Sequence, residues 1–166
     1  MTPVVHPFLP VYDAASRVLI LGTMPSPVSR AQAFYYAHPR NRFWPILAAV
    51  FGEPPPVSKE NRIRFVLSRH IALWDVLASC VIDGAADHTI KNPEPNDFAP
   101  LLRAAKITRV FTTGNKAFTL YTRLCFPHTG LAATPLPSTS PANQRMSFDD
   151  LVTAYRVIKA ATETVP

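Results

Sequence analysis

The sequence predicts an α/β protein, a three-layer α/β/α sandwich around a central four-stranded, mostly parallel sheet. Four short apolar runs, at residues 17–21, 71–76, 108–113 and 132–136, have the length and composition of buried strands. Segments in which apolar residues recur at helical spacing separate these runs. Because strands that alternate with helices are joined by right-handed crossovers, the strands are expected to lie parallel, with helices on both faces.

The helices are predicted from capping residues and apolar spacing. Asn41 is a candidate N-cap for the first helix, which tolerates Pro45 in its first turn and stops at Gly52. Ser58 and Asp97 each open a further helix, because short polar side chains can accept the free N–H groups of a first turn. These two helices and the remaining two span about residues 58–69, 97–105, 115–125 and 148–162.

Two segments are predicted to lie outside the alternating strands and helices. Residues 1–16 form an extended, proline-rich lead-in, and residues 77–96 form a long loop of the kind that is more often functional than idle. Since the carboxyl ends of parallel strands meet at one edge of a sheet, a ligand site is expected where the four strands end.

Composition limits the class of protein. At 166 residues and 48% hydrophobic content, the chain is expected to form a single domain, residues 1–166. The formal charge of +6 favours polyanionic partners without requiring one. Cys80 and Cys125 lie far apart and outside any CxxC pattern, which argues against a zinc, iron–sulfur or disulfide site. The N-terminus is not a signal peptide, and no apolar run reaches the ~20 residues of a membrane helix, so a cytoplasmic protein is expected.

An aromatic and basic cluster, FYYAHPRNRFW at residues 34–44, follows the first strand and its proline-broken loop. Taken singly, its aromatic residues are more often core, and Asn41 is more often a helix cap. Together, aromatic faces, an amide that can hold a water, and two arginines are what a nucleobase pocket beside phosphates requires.

Three motifs resemble those of the uracil-DNA glycosylase superfamily: GTMPS at 22–26, FYYAHPRNRFW at 34–44 and LPSTSPAN at 136–143. The combination is most similar to the hypoxanthine (deoxyinosine) DNA glycosylase branch, next to mismatch-specific uracil-DNA glycosylase. The resemblance implies a monofunctional DNA glycosylase of base excision repair. Its substrate would be DNA that contains a deaminated base, hypoxanthine first and uracil second. No metal, cofactor or protein partner is implied, and a monomer is expected.

The resemblance implies that Asn41 is the catalytic residue. The mismatch-specific branch has a water-binding asparagine in the first loop, but the corresponding residue here is Met24, which cannot orient a water. In the hypoxanthine branch the role belongs to the asparagine of the HPxN block, which is Asn41. Cleavage would pass through an oxocarbenium-like sugar that captures a water positioned by Asn41. Backbone N–H groups of residues 22–26 would stabilise the leaving base.

The resemblance also implies a base-binding set. Tyr36 aligns with the aromatic residue that stacks on the flipped base, and Asp75 falls where relatives read the base edge. The alternatives left open are core packing for Tyr36 and a loop cap for Asp75. Gly22, Thr23 and Met24 complete this predicted set.

The predicted DNA contacts lie around the same sheet edge. Ser138, Ser140 and Asn143 could bind phosphates, although hydroxyl residues between prolines also make ordinary turns. Arg145, with Met146, could probe the space that an extruded base leaves. The remaining predicted contacts are Arg40 beside the aromatic cluster and Lys116 at a strand-to-helix turn.

Two other functions stay open on the sequence. One is a uracil or thymine mismatch glycosylase. Met24 argues against this function, because it replaces the water-binding asparagine of that branch. The other is a non-catalytic nucleic-acid-binding module, because a fold does not by itself fix an activity.

Overall fold

The structure is a computed structural model that describes residues 3–163. Its strands are β1 (Pro3–Val5), β2 (Val18–Gly22), β3 (Ile71–Asp75), β4 (Leu77–Asp83), β5 (Ala86–Pro95), β6 (Arg109–Thr113) and β7 (Ala133–Leu136). Its helices are α1 (Pro27–Gln32), α2 (Phe43–Val50), α3 (Lys59–Leu67), α4 (Ala99–Ala104), α5 (Asn115–Leu124), α6 (Phe126–Thr129) and α7 (Phe148–Glu163). Within this part of the chain, none of the helices is both long and apolar enough to cross a membrane.

A four-stranded sheet with the order β3-β2-β6-β7 lies at the centre, and each of its neighbouring pairs is parallel. Strand β2 is buried along its whole length, as its uninterrupted apolar sequence requires. Val18 lies opposite Ile71 of β3 on one side and Arg109 of β6 on the other. The predicted α/β fold with a central four-stranded parallel sheet is therefore confirmed, with strand ends within about one residue of prediction.

Both faces of this sheet are covered. On one face the side chains of α2, α3 and α7 form a core with Ile20 and Phe111. On the other face α4 and α5 pack with Leu19, Leu21 and Val110. Burial on both faces is what produces unbroken apolar strands, since neither face meets water.

The prediction of a long loop at residues 77–96 is wrong. These residues form the antiparallel hairpin of β4 and β5, and β1 pairs with β4 to complete a three-stranded sheet. Register shifts between Leu77 and Asp83 interrupt the alternation of buried and exposed positions, which is why the sequence shows no strand period. Within the predicted extended lead-in, residues 3–5 form strand β1, while residues 1–2 lie outside the described residues.

The helix starts differ slightly from prediction. Ser58 caps α3 by accepting the N–H of Asn61 (3.1 Å), as predicted. Helix α2 begins after Arg42, one residue later than expected, although Asn41 Oδ1 still accepts the N–H of Phe43 (2.9 Å). Asp97 makes the equivalent contact with Ala99 ahead of α4. The short helices α1 and α6 were not predicted, because each is about one to two turns long and holds a proline in its first turn.

Candidate active site

A pocket of about 310 Å³ opens at the carboxyl edge of the central sheet, within the size range of small-molecule sites. Residues at or just beyond the ends of all four parallel strands line it, as the topology predicts. The structure brings eight of the predicted site residues to its wall: Gly22, Thr23, Met24, Tyr36, Asn41, Asp75, Ser138 and Ser140. Their functional roles stay predictions.

The carboxamide oxygen of Asn41 already accepts two hydrogen bonds. It accepts the backbone N–H of Phe43 at 2.9 Å and the hydroxyl of Thr139 at 2.9 Å. Since the backbone N–H can only donate, the atom that faces it must be the oxygen, which fixes the orientation of the amide. The Nδ2 group makes no hydrogen bond within residues 3–163, so Asn41 offers N–H donors to the pocket and no free acceptor.

The two motif blocks at residues 34–44 and 136–143 are joined by hydrogen bonds around this amide. The N–H of Arg42 donates to the carbonyl of Thr139 (3.1 Å). The guanidinium of Arg42 donates to the carbonyls of Asn143 (2.7 Å) and Met146 (3.0 Å). Arg42 therefore has a structural role, and sequence reasoning missed both this clamp and the contact from the buried Thr139.

Gly22 lies where three polar side chains converge. A Cβ atom at this position would stand 2.6 Å from Asp75 Oδ1, 3.3 Å from the Tyr36 hydroxyl and 3.5 Å from Thr113 Oγ1. The first distance is shorter than real Cβ contacts allow, and the Asp75 side chain is only 6% exposed, so it has little room to withdraw. Glycine at residue 22 thus lets a carboxylate occupy the floor of the pocket.

The Asp75 carboxylate has a partner that sequence reasoning did not identify. His6 Nε2 lies 2.8 Å from Asp75 Oδ2, although 69 positions separate the two residues in sequence. Asn96 Nδ2 donates to the carbonyl of Asp75 at 2.9 Å and so fixes the backbone at this strand end. We found no sequence signal for the histidine contact, since His6 lies in a proline-rich segment with no motif.

One face of the Tyr36 ring is covered by Phe43, and the residue lines the pocket. The ring stacks on Phe43 with centroids 3.8 Å apart and planes inclined by 12°, so one face is covered. Its backbone is left-handed (φ 53°), a conformation uncommon for residues other than glycine. Burial, and after it the negative charge of Asp75, holds the pKa of the Tyr36 hydroxyl far above its usual value. The hydroxyl therefore stays protonated, 3.2 Å from Thr113 Oγ1.

Serine hydroxyl groups hold the turn in the segment after β7 by accepting backbone N–H groups of the same segment. Ser138 Oγ accepts the N–H of Ser140 (3.1 Å), and Ser140 Oγ accepts the N–H of Ala142 (3.2 Å). Each hydroxyl keeps its own hydrogen, so both can still donate to a phosphate while they shape the turn. Asn143 instead donates its amide to the carbonyl of Ser138 (2.8 Å), a contact that holds the loop.

The predicted cationic contacts lie outside the pocket lining. Arg40 and Arg145 are exposed, and their guanidinium groups make no hydrogen bond or ion pair within the described residues. Lys116, in the first turn of α5, is partly exposed. Met146 packs against the core that contains α2 and α7, so it does not project freely from the loop.

The tip of the β4–β5 hairpin forms part of the pocket rim through Ala85 and Asp87. Asp87 Oδ2 accepts the Thr23 hydroxyl at 3.4 Å, which ties the hairpin to the loop after β2. Among residues 3–163, no group of three or more His, Cys, Asp or Glu side chains is arranged to hold a metal ion. The side chains that line the pocket include amide, carboxylate, hydroxyl and aromatic groups and the imidazole of His38.

Comparison with known proteins gives consistent matches. The model of the uracil DNA glycosylase superfamily matches residues 9–159. A hypoxanthine DNA glycosylase of Methanosarcina barkeri is 36% identical over 112 residues, 66% of this chain and 71% of that protein. One of Methanosarcina acetivorans is 31% identical over 141 residues, 84% of this chain and 89% of that protein. A solution NMR structure of a candidate uracil DNA glycosylase from Methanosarcina acetivorans has a TM-score of 0.75 and 30% identity, covering 92% of this chain and 96% of that one.

Proposed function

Because the chain belongs to the uracil DNA glycosylase superfamily, we propose that it removes deaminated bases from DNA by hydrolysing their N-glycosidic bonds, with hypoxanthine as its main substrate. The activity is that of a monofunctional DNA glycosylase in base excision repair. The observation that carries the proposal is the pairing, in one pocket, of the fixed amide of Asn41 with the buried carboxylate of Asp75. We infer that it acts on DNA in the cytoplasm.

The reaction breaks the bond between the sugar C1′ and the base nitrogen, and the bonding electrons leave with the base. The sugar becomes oxocarbenium-like and forms a new bond to a water oxygen. The proton that this water loses passes to solvent, and the anionic base takes up a proton from solvent. An amide is a poor base, but a cationic sugar requires little base strength from its catalyst. Asn41 Nδ2 donates a hydrogen bond to one lone pair of the water oxygen, which leaves another lone pair to attack C1′.

Asp75 accounts for a preference for deaminated bases. Deamination converts an acceptor nitrogen on the base edge of adenine or cytosine into an N–H donor in hypoxanthine or uracil. An ionised carboxylate only accepts hydrogen bonds, so Asp75 Oδ1 pairs with the deaminated edge and opposes the lone pair of the parent base. A site built around a buried acceptor discriminates strongly against ligands that lack the matching donor.

The target base must leave the duplex to reach this pocket, at a cost of a few kcal/mol of unstacking. Tyr36 lines the pocket and stacks on that base through the ring face that Phe43 does not cover. Ser138 and Ser140 donate to phosphates at the mouth of the pocket. Arg40, Arg145 and Lys116 add the sequence-independent attraction of cations for the DNA backbone. The backbone N–H groups of Thr23 and Met24 stabilise the leaving base.

An excision assay tests the function. Matched duplexes that contain inosine, uracil, xanthine or a G·T mismatch at one position are incubated with the protein and then treated with alkali. We expect strand breaks at inosine, with weaker cleavage at uracil. Binding to these duplexes without breaks in any of them would instead identify a non-catalytic DNA-binding module, and breaks only at uracil or at the mismatch would identify a mismatch glycosylase.

Thr139→Val is expected to slow hypoxanthine excision by up to about tenfold, because it removes one hydrogen bond that holds the Asn41 amide. Single-turnover kinetics on an inosine duplex measure the effect, and Thr139→Ser, which keeps the hydroxyl, should retain the wild-type rate. Thr112→Val is the matched control, since Thr112 is also buried but its hydroxyl has no partner in the described residues. Equal rates for folded Thr139→Val and Thr112→Val would refute the positioning role.

A further inference from the structure

We propose that His6 is a positioning residue that fixes the Asp75 carboxylate for base recognition, so that the strand at the start of the described chain contributes to specificity. The inference rests on the proposed role of Asp75 in reading the base edge. None of the three sequence motifs includes His6, and His6 itself is not part of the pocket lining. His6 contacts the Asp75 carboxylate from outside the pocket lining.

The His6 ring is held on several sides. Its backbone N–H donates to the carbonyl of Ala78 (2.7 Å), directly after β1 pairs with β4. The ring meets Phe8 edge to face, with centroids 4.7 Å apart, and lies 6.2 Å from the Tyr35 ring. Its side chain is only 4% exposed. The imidazole is therefore fixed by packing before any contact with Asp75 is considered.

The hydrogen-bond inventory of this imidazole defines its role. A carboxylate only accepts, so His6 Nε2 carries the hydrogen that is shared with Asp75 Oδ2 at 2.8 Å. His6 Nδ1 is buried and has no hydrogen-bond partner within residues 3–163. A neutral ring with its hydrogen on Nε2 leaves only a lone pair unmatched at Nδ1, and no N–H group. The ring is thus arranged as a single donor directed at one carboxylate oxygen.

The hydrogen bond from His6 Nε2 fixes the orientation of the Asp75 carboxylate and leaves one of its two oxygens free to accept. Oδ2 is occupied by His6, while Oδ1 makes no hydrogen bond within the described residues and points toward the space beside Gly22. The terminal torsion of an aspartate is broad, so an unanchored carboxylate would turn among several orientations. A buried carboxylate without a partner would also be costly, and the His6 hydrogen bond reduces that cost. His6 therefore sets which oxygen the base meets and where.

Binding to duplexes that resist hydrolysis tests this role separately from catalysis. A 2′-fluorine disfavours the oxocarbenium-like sugar, so 2′-fluoro nucleotides can be bound without being cleaved. One duplex carries 2′-fluoro-deoxyinosine, and the other carries the matching purine nucleotide, which lacks both O6 and the N1 hydrogen. The ratio of the two Kd values reports how well the protein reads the lactam edge, whereas a loss of general DNA affinity changes both values together.

We expect His6→Phe, which keeps an aromatic ring without the donor, to reduce the wild-type preference for inosine by about fivefold to tenfold. His6→Gln, whose amide can replace Nε2–H, should restore most of it. The control is His128→Ala, at an exposed histidine in the last turn of α6. Thermal unfolding verifies that each variant is folded.

The outcomes separate this inference from the function on which it rests. A folded His6→Phe protein that keeps the full preference overturns the role of His6 alone, provided that wild-type protein excises hypoxanthine. Wild-type protein that shows neither excision nor a preference for inosine overturns the proposed function and the role of His6 together.

Discussion

Asn41→Ala protein is expected to excise hypoxanthine about 100-fold to 1,000-fold more slowly than wild type, because removing one preorganised donor at a reacting centre has an effect of that size. Single-turnover kinetics on an inosine duplex give the rate, and DNA binding is measured in parallel. Since Asn41 also accepts the Phe43 N–H at the start of α2, the alanine variant is expected to unfold at a somewhat lower temperature as well. Full activity of this variant would contradict the catalytic assignment.

Asn41→Asp separates the catalytic effect from the structural one. A carboxylate can still accept the Phe43 N–H and the Thr139 hydroxyl, so the fold and the start of α2 should be preserved. It cannot supply the N–H donors that Asn41 presents to the pocket. We expect Asn41→Asp to be as stable as wild type and about as inactive as Asn41→Ala. Near-wild-type activity would mean that this position acts as an acceptor, contrary to the donor role proposed for it.

Asp75→Asn should lower the rate of inosine excision by about 100-fold or more. The buried side chain would then present an N–H donor, where hypoxanthine requires an acceptor. The His6 Nε2–H will hold the new carboxamide oxygen, so the NH₂ group turns toward the pocket and opposes the lactam N–H of hypoxanthine. The inosine excision rate measures the loss.

Asp83→Asn is the matched control for this change, since it removes one carboxylate charge at an exposed position at the end of β4. We expect it to leave the excision rate unchanged. If Asp75→Asn were as active as Asp83→Asn, the base edge would have to be read by other groups, such as the Tyr36 hydroxyl.

The parallel sheet was predictable because burial on both faces leaves unbroken apolar runs, as in β2. The pocket was predictable in position because topology places the ends of these strands together. The hairpin at residues 77–96 was missed because its register shifts remove the period-2 pattern that identifies a strand. A local pattern carries no information about an irregular pairing of this kind.

The contacts that complete the site were missed for a different reason. His6 reaches Asp75 across 69 positions, and Thr139 reaches Asn41 across 98. Each is a single hydrogen bond between elements that meet only in the folded chain. The sequence predicts that Asn41 places an amide in a pocket. It does not show that the amide oxygen already accepts hydrogen bonds from Phe43 and Thr139.

The clamp between Arg42 and the segment after β7 has a consequence for the order of folding. Its hydrogen bonds join residues more than ninety positions apart, and long-range contacts form only after the loss of entropy on closing a long loop. The Asn41 amide oxygen is held by the same segment, through the hydroxyl of Thr139. A chain in which β7 has not yet docked therefore holds Asn41 without its fixed orientation.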